Sequence, residues 1–139
     1  MSGAAVIIFT SDTAWNGLYA PSGSHFLGIQ GIGSYINQTV FVPANTAVTV
    51  TYYAKSRPID GHQTGLSGLA LQFSNLFLVN QTLTYSWTQY TVTIPARSSS
   101  VTGSFIFRNR YDTCIGDCTF FLDNVILAGK CKGSSYLFL

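Results

Sequence analysis

Five aspartates, two histidines and three cysteines are this chain's whole supply of carboxylate, imidazole and thiol groups, and glutamate is absent. Glycoside cleavage needs two carboxyl groups ~5–10 Å apart with divergent acidities. Asp12, Asp60, Asp112, Asp117 and Asp123 carry no such motif, and the last four fall in turns or at a strand end. A nucleophilic triad needs a base held beside Ser or Cys. His25 lies beside a strand start and His62 in a Gly-rich loop, with no nucleophile elbow near either. No phosphate-cradling glycine motif follows a strand and opens a helix, and three cysteines without a well-spaced histidine match no structural zinc site. The chain is expected not to be an enzyme.

The cysteines offer covalent chemistry of another kind. Cys114 and Cys118 enclose Ile115-Gly116-Asp117, a flexible stretch whose ends could meet in a small disulfide loop. Cys131 would then be the odd one; its pairing with either loop cysteine, an intermolecular bridge, or three reduced thiols are the alternatives. Two Asn-Gln-Thr sequons, at Asn37 and Asn80, would accept N-glycans in a eukaryotic secretory pathway, although a chain this rich in Asn and Thr also produces such triplets by chance.

The elements that must position these groups are strands. Val48, Val50, Tyr52 and Ala54 alternate with Thr49, Thr51, Tyr53, Lys55 and Arg57, which predicts one apolar face and one wet face. Leu69, Leu71 and Phe73 repeat the pattern, as do Tyr90, Val92 and Ile94, then Val101, Gly103, Phe105 and Phe107. Pro43-Ala-Asn45, Pro58-Ile-Asp-Gly61, Pro95 to Ser100 and Tyr111 to Cys118 supply the turns between them. Helical periodicity is almost absent. About eight one-faced strands pair as two antiparallel sheets, which predicts an all-β jelly-roll sandwich. Residues 1–129 are expected to form that single domain. Residues 130–139 end in apolar Tyr136-Leu-Phe-Leu139 and read as a tail that packs on its own domain or on a neighbour, as an added or exchanged strand.

Composition bounds the partners. Only 9% of residues are charged and the net charge is +2, too weak and too scattered a field to attract nucleic acid. Two Trp, eight Tyr and ten Phe supply more burial than a disordered chain would have. No apolar run approaches the ~20 residues of a spanning helix, and Ala4 to Phe9 is too short for a signal-peptide core. The chain is expected to be soluble, either intracellular or exported by a signal outside this sequence.

Three segments carry a resemblance. Ser24-His-Phe-Leu-Gly-Ile-Gln-Gly-Ile-Gly-Ser-Tyr-Ile-Asn-Gln-Thr-Val40, Trp87-Thr-Gln-Tyr-Thr91 and Leu122-Asp-Asn-Val125, with Ala54-Lys-Ser-Arg57 between them, resemble the galactose-binding-like jelly roll of carbohydrate-binding modules of the family 4 and 9 type. The likeness spans about residues 15 to 127. It implies a non-catalytic sugar-binding domain of an extracellular, cell-surface or virion-surface protein, with a glycan or polysaccharide as partner. The opening of the chain departs from the pattern: Met1 to Thr10 offers one apolar strand where that group has an Asn-Gly-x-Phe-Glu strand and a Trp-containing one. An edge strand is therefore missing or replaced, which invites a strand from elsewhere, the tail included.

The resemblance also implies a structural calcium site with Asp123 among its ligands. Without the acidic residue of the opening strand the hard oxygen donors are few, so Asp123 is expected instead to hydrogen-bond the strand end, and no cofactor is required. Sugar recognition in such modules uses aromatic rings against the pyranose face, with amides, hydroxyls and guanidinium groups on its rim. The candidates are Tyr53, Lys55 and Arg57 on one wet strand face, Gln72 and Arg108 on others, and Trp15 and Tyr111 in loops. Each has a structural alternative: Arg57 and Arg108 could pair with Asp60 or Asp112, Trp15 could cover an edge, and Trp87 and Tyr52 could complete the core. The competing expectation is a structural subunit of a self-assembling array, filament or virion, for which low charge, many Thr, an apolar tail and an odd cysteine are suited.

Overall fold

The computed structural model describes residues 4–59, 61–110, 113–131 and 134–138. Its strands in chain order are β1 (Ala4–Phe9), β2 (His25–Gln30), β3 (Tyr35–Val42), β4 (Ala47–Ser56), β5 (Gln63–Thr64), β6 (Gly68–Phe73), β7 (Leu76–Thr82), β8 (Thr88–Ile94), β9 (Val101–Arg110), β10 (Ile115–Gly116), β11 (Phe120–Cys131) and β12 (Ser134–Phe138). They form an antiparallel sheet in the order β1-β2-β11-β4-β8, with β12 also on β11, facing a second sheet in the order β3-β9-β6-β7; β5 and β10 make a small two-stranded clip. The chain is an all-β jelly-roll sandwich.

The period-two pattern sets what lies between the sheets. Val48, Val50, Tyr52 and Ala54 of β4, Leu69, Leu71 and Phe73 of β6, and Phe105 and Phe107 of β9 are all buried. They close one core with Ile94 of β8 and Phe120 and Leu122 of β11. Truncating one of these side chains, as in Leu71→Ala, costs about 2–5 kcal/mol.

The Leu122-Asp-Asn-Val125 segment is a bulge. β11 pairs with β4 on one side through Asp123↔Tyr53, and the register shifts before resuming at Ile126↔Thr51. Asn124 there has a φ of 48°, which Asn tolerates better than other non-glycine residues. On its other side β11 pairs with β2 through Phe120 to Leu122, then with β12 from Leu127 to Cys131. The bulge thus divides β11 between two neighbours, and β12 extends the lane that β2 begins.

A second, smaller core lies on the outer face of the larger sheet. Ile8, Phe26 and Phe121 are buried there beneath Trp15, Leu18 and Ala20, with Trp87 beside them. The connection between β1 and β2 therefore folds back as a flap. It opens with a 3-10 turn, Thr13–Trp15, capped by the Asp12 side chain, which accepts from Ala14 N–H at 2.9 Å. Two long-range tethers close it: Trp87 Nε1–H donates to the Tyr19 carbonyl at 2.8 Å, and Ser22 N–H donates to Asp123 Oδ2 at 2.9 Å. Gly28 is needed under this flap because a Cβ there would stand 2.7 Å from Ile8 Cδ1.

At one end of the sandwich a buried polar cluster ties the loops together. Gln63 donates to the Arg57 carbonyl at 3.1 Å and accepts from Thr119 N–H at 2.7 Å, while Ser67 Oγ donates to the Thr119 carbonyl at 2.9 Å. A buried amide so placed stabilises only while its partners are all present. The Cys114–Cys118 disulfide closes the facing loop, with Cα atoms 5.5 Å apart. Gly116 in that loop has a φ of 102°, and any Cβ would strike the His62 carbonyl.

Candidate functional site

The β4 face that alternation marks as wet is covered at its Lys55–Arg57 end, while Thr49 and Thr51 on it stay partly exposed. Tyr53 is half-buried, and Lys55 and Arg57 are 6% and 5% exposed. The cause is the flap, which places Trp15 over the Arg57 guanidinium at 4.8 Å and in edge contact with Phe121 at 5.9 Å. Lys55 Nζ lies 5.9 Å from the Trp87 ring centre, and burial pulls its ammonium below the ordinary lysine range. Arg57 Nη1 meets Asp117 Oδ2 at 3.2 Å, so among the described residues Asp117 is a carboxylate partner. This corrects the expectation of an accessible Tyr53-Lys55-Arg57 platform: alternation identified the face without showing what covers it. Trp15 is part of the cover. Asp60, Asp112 and Tyr111 lie outside the described residues.

Gln72 and Arg108 occupy a different surface, the outer face of the β3-β9-β6-β7 sheet. Paired residues share a face, and the registers arrange this one in rows. One row runs Asn80, Ala70, Arg108, Tyr35; the next runs Phe77, Gln72, Ile106, Asn37. Beyond them stand Ser104 beside Thr39, their hydroxyls 2.9 Å apart, and then Thr102 beside Phe41. Tyr35 and Phe77 are 52% and 64% exposed, so two rings stand on opposite edge strands with amides and a guanidinium between them. Arg108 is held ready: its Cζ lies 4.7 Å from the Tyr35 ring centre and its Nη1 donates to the Gly33 carbonyl at 3.1 Å. Both sequon asparagines, Asn37 and Asn80, are exposed on this same face.

Sequence reasoning placed Gln72 and Arg108 on outward strand faces because β6 and β9 alternate cleanly. It missed Tyr35, Phe41 and Phe77. In Tyr-Ile-Asn-Gln-Thr-Val-Phe-Val and Leu-Phe-Leu-Val-Asn-Gln-Thr, apolar residues occur in both phases, and the strand phase comes only from pairing.

Between the sheets, a cleft of about 740 Å³ opens along β3, lined by apolar Ile36, Val40, Phe105, Phe107, Val125 and Leu127 among others. Gln38 is its one long polar side chain, a poor match to a sugar's hydroxyl rim. Asp123 accepts from the backbone N–H groups of Ser22 and Asn124, at 2.9 and 2.8 Å. Among the described residues no three His, Cys, Asp or Glu side chains gather to hold a metal ion. No helix among them is long and apolar enough to cross a membrane.

No family model and no curated protein matches the sequence. Solved structures do match the fold. A CBM4 structure aligns over 91% of this chain and 86% of its own at 15% identity, TM-score 0.56. The CBM22-1 xylan-binding domain from Paenibacillus barcinonensis Xyn10C aligns over 88% and 80% at 13% identity, TM-score 0.55. CBM22-1-GH10 modules of a Clostridium thermocellum xylanase, complexed with xylohexaose, align over 99% of this chain and 26% of that one at 9% identity, TM-score 0.59. At such identities the likeness concerns architecture, and the chain has the β-sandwich fold of carbohydrate-binding modules.

Proposed function

We propose that this chain is a non-catalytic carbohydrate-binding domain of an extracellular or surface protein, and that it takes a glycan or polysaccharide across the outer face of the β3-β9-β6-β7 sheet. One observation carries the reading: a single exposed sheet face brings Tyr35 and Phe77 to either side of Asn80, Gln72, Arg108 and Asn37. Exposed rings pack on the apolar face of a pyranose, and amide and guanidinium groups bond its equatorial hydroxyls. The face is already ordered by the ladder beneath it, so little conformational freedom is lost on binding. The xylan and xylohexaose named for two structural neighbours supply the first probes.

The test is retention on affinity gels cast with a panel of soluble polysaccharides, xylan first, beside a glycan array. Retardation by at least one polysaccharide, relieved by Arg108→Ala, is the expected result. Free migration through every gel and an empty array would remove the reading.

A further inference from the structure

Natural sheets protect their edges with charge, proline or bulges. Here β1, β8, β3 and β7 lie at the ends of the two strand orders, and none of them contains Lys, Arg, Asp, Glu or Pro. The charges sit on interior strands instead, on β4, β9 and β11. β1, β8 and β3 each pair with their inner neighbour along all their residues without a register shift, and β3, with eight residues, is the longest of them.

β3 is also a chemical palindrome. About Gln38, Asn37 faces Thr39, Ile36 faces Val40, and Tyr35 faces Phe41: polar with polar, aliphatic with aliphatic, aromatic with aromatic. A strand that pairs antiparallel with a copy of itself across a two-fold axis through Gln38 meets these partners and no others. A shift of the axis to Thr39 would set Asn37 against Phe41. Isologous contacts need self-complementarity of this kind.

The backbone agrees with the side chains. Asn109 N–H donates to the Ser34 carbonyl at 2.8 Å, and hydrogen-bonded pairs alternate along an antiparallel ladder. Residues 36, 38, 40 and 42 therefore turn their amides toward β9, and 35, 37, 39 and 41 turn theirs to the open edge. The Thr39 carbonyl confirms the phase: it accepts from its neighbour's side chain, Gln38 Nε2, at 3.2 Å. Self-pairing about Gln38 opposes 37 with 39 and 35 with 41, all members of the outward set, and forms about eight cross-axis hydrogen bonds. It also lays the second copy's Ile36 and Val40 beside the apolar cleft that opens along this edge.

We infer that β3 is a homodimer interface in which two copies join their four-stranded sheets into one continuous sheet, in register about Gln38. The inference does not depend on glycan binding, although the dimer would align two outer faces side by side and make binding to a polymer bivalent.

Charge at the axis tests the register. Gln38 is exposed, so Gln38→Lys and Gln38→Glu leave the fold intact, which circular dichroism verifies. In the dimer each places like charges directly opposite. Sedimentation equilibrium without glycan, up to about 0.5 mM protein, is expected to show a dimer for the native chain. Each variant alone is expected to be monomeric, and their equimolar mixture dimeric again. A native chain that is monomeric throughout, a Gln38→Lys variant that still dimerises, or a mixture that stays monomeric would each overturn the inference.

Discussion

If Arg57 is a strut beneath the flap, its replacement changes stability and leaves ligand binding alone. The side chain is 5% exposed, stacked 4.8 Å from the Trp15 ring centre and 3.2 Å from an Asp117 carboxylate that is itself 36% exposed. Arg57→Ala removes a largely dry cation–π contact of about 1–2 kcal/mol. It removes the packing of the aliphatic stem, about 1 kcal/mol. The ion pair adds about 1 kcal/mol, set between surface and buried values because Asp117 is partly wet. The loss is about 3 kcal/mol, which lowers Tm by roughly 10 °C. Arg57→Met keeps the stem and should lose about 2 kcal/mol, while Asp117→Asn should lose about 1 kcal/mol. Urea unfolding reads these as midpoint shifts at constant slope, and the Arg57/Asp117 double-mutant cycle isolates the pair. Losses within about 0.5 kcal/mol for Arg57→Ala, the value for an unburdened surface site, would refute the flap's placement over β4.

Two further outcomes follow from the same geometry. The Tyr52 hydroxyl is buried without a hydrogen-bond partner among the described residues, and burial with Tyr90 nearby raises its pKa above the ordinary 10.0. The unfolded chain ionises first, so Tyr52 makes stability fall as pH rises past 10; Tyr52→Phe should flatten that decline and add about 1 kcal/mol at neutral pH, both read by chemical denaturation from pH 8 to 11. Unchanged pH dependence would contradict the burial. Asp123 is engaged by two backbone N–H groups, so EDTA should leave Tm unmoved while Asp123→Ala lowers it by about 1–2 kcal/mol equivalent through release of Ser22; a drop in Tm on chelation would restore calcium to the site.

Local pattern made the scaffold legible. Alternation in β4, β6, β8 and β9 gave the core side of each strand, and the Leu122-Asp-Asn-Val125 signature proved to encode a bulge, with Asn124 at positive φ and Asp123 reaching back to Ser22. Alternation reports a face and not its cover. Lys55 and Arg57 point outward as read, but a flap from residues far away in sequence buries them, and that flap has no periodicity of its own. The phases of β3 and β7 were illegible for another reason: apolar side chains serve both the core and the exposed face there, so Tyr35, Phe41 and Phe77 acquire meaning only from their partners on β9 and β6.

The proposed ligand face is the outer face of the β3-β9-β6-β7 sheet. Titration of the polysaccharide first found to retard the chain into four variants, by calorimetry with Tm recorded for each, tests it directly. Tyr35→Ala, Phe77→Ala and Arg108→Ala should each weaken binding about 10-fold or more with little change in Tm. Arg57→Met should lower Tm and leave affinity unchanged. The opposite pattern, with affinity lost through Arg57 and untouched by Tyr35, Phe77 and Arg108, would contradict the account.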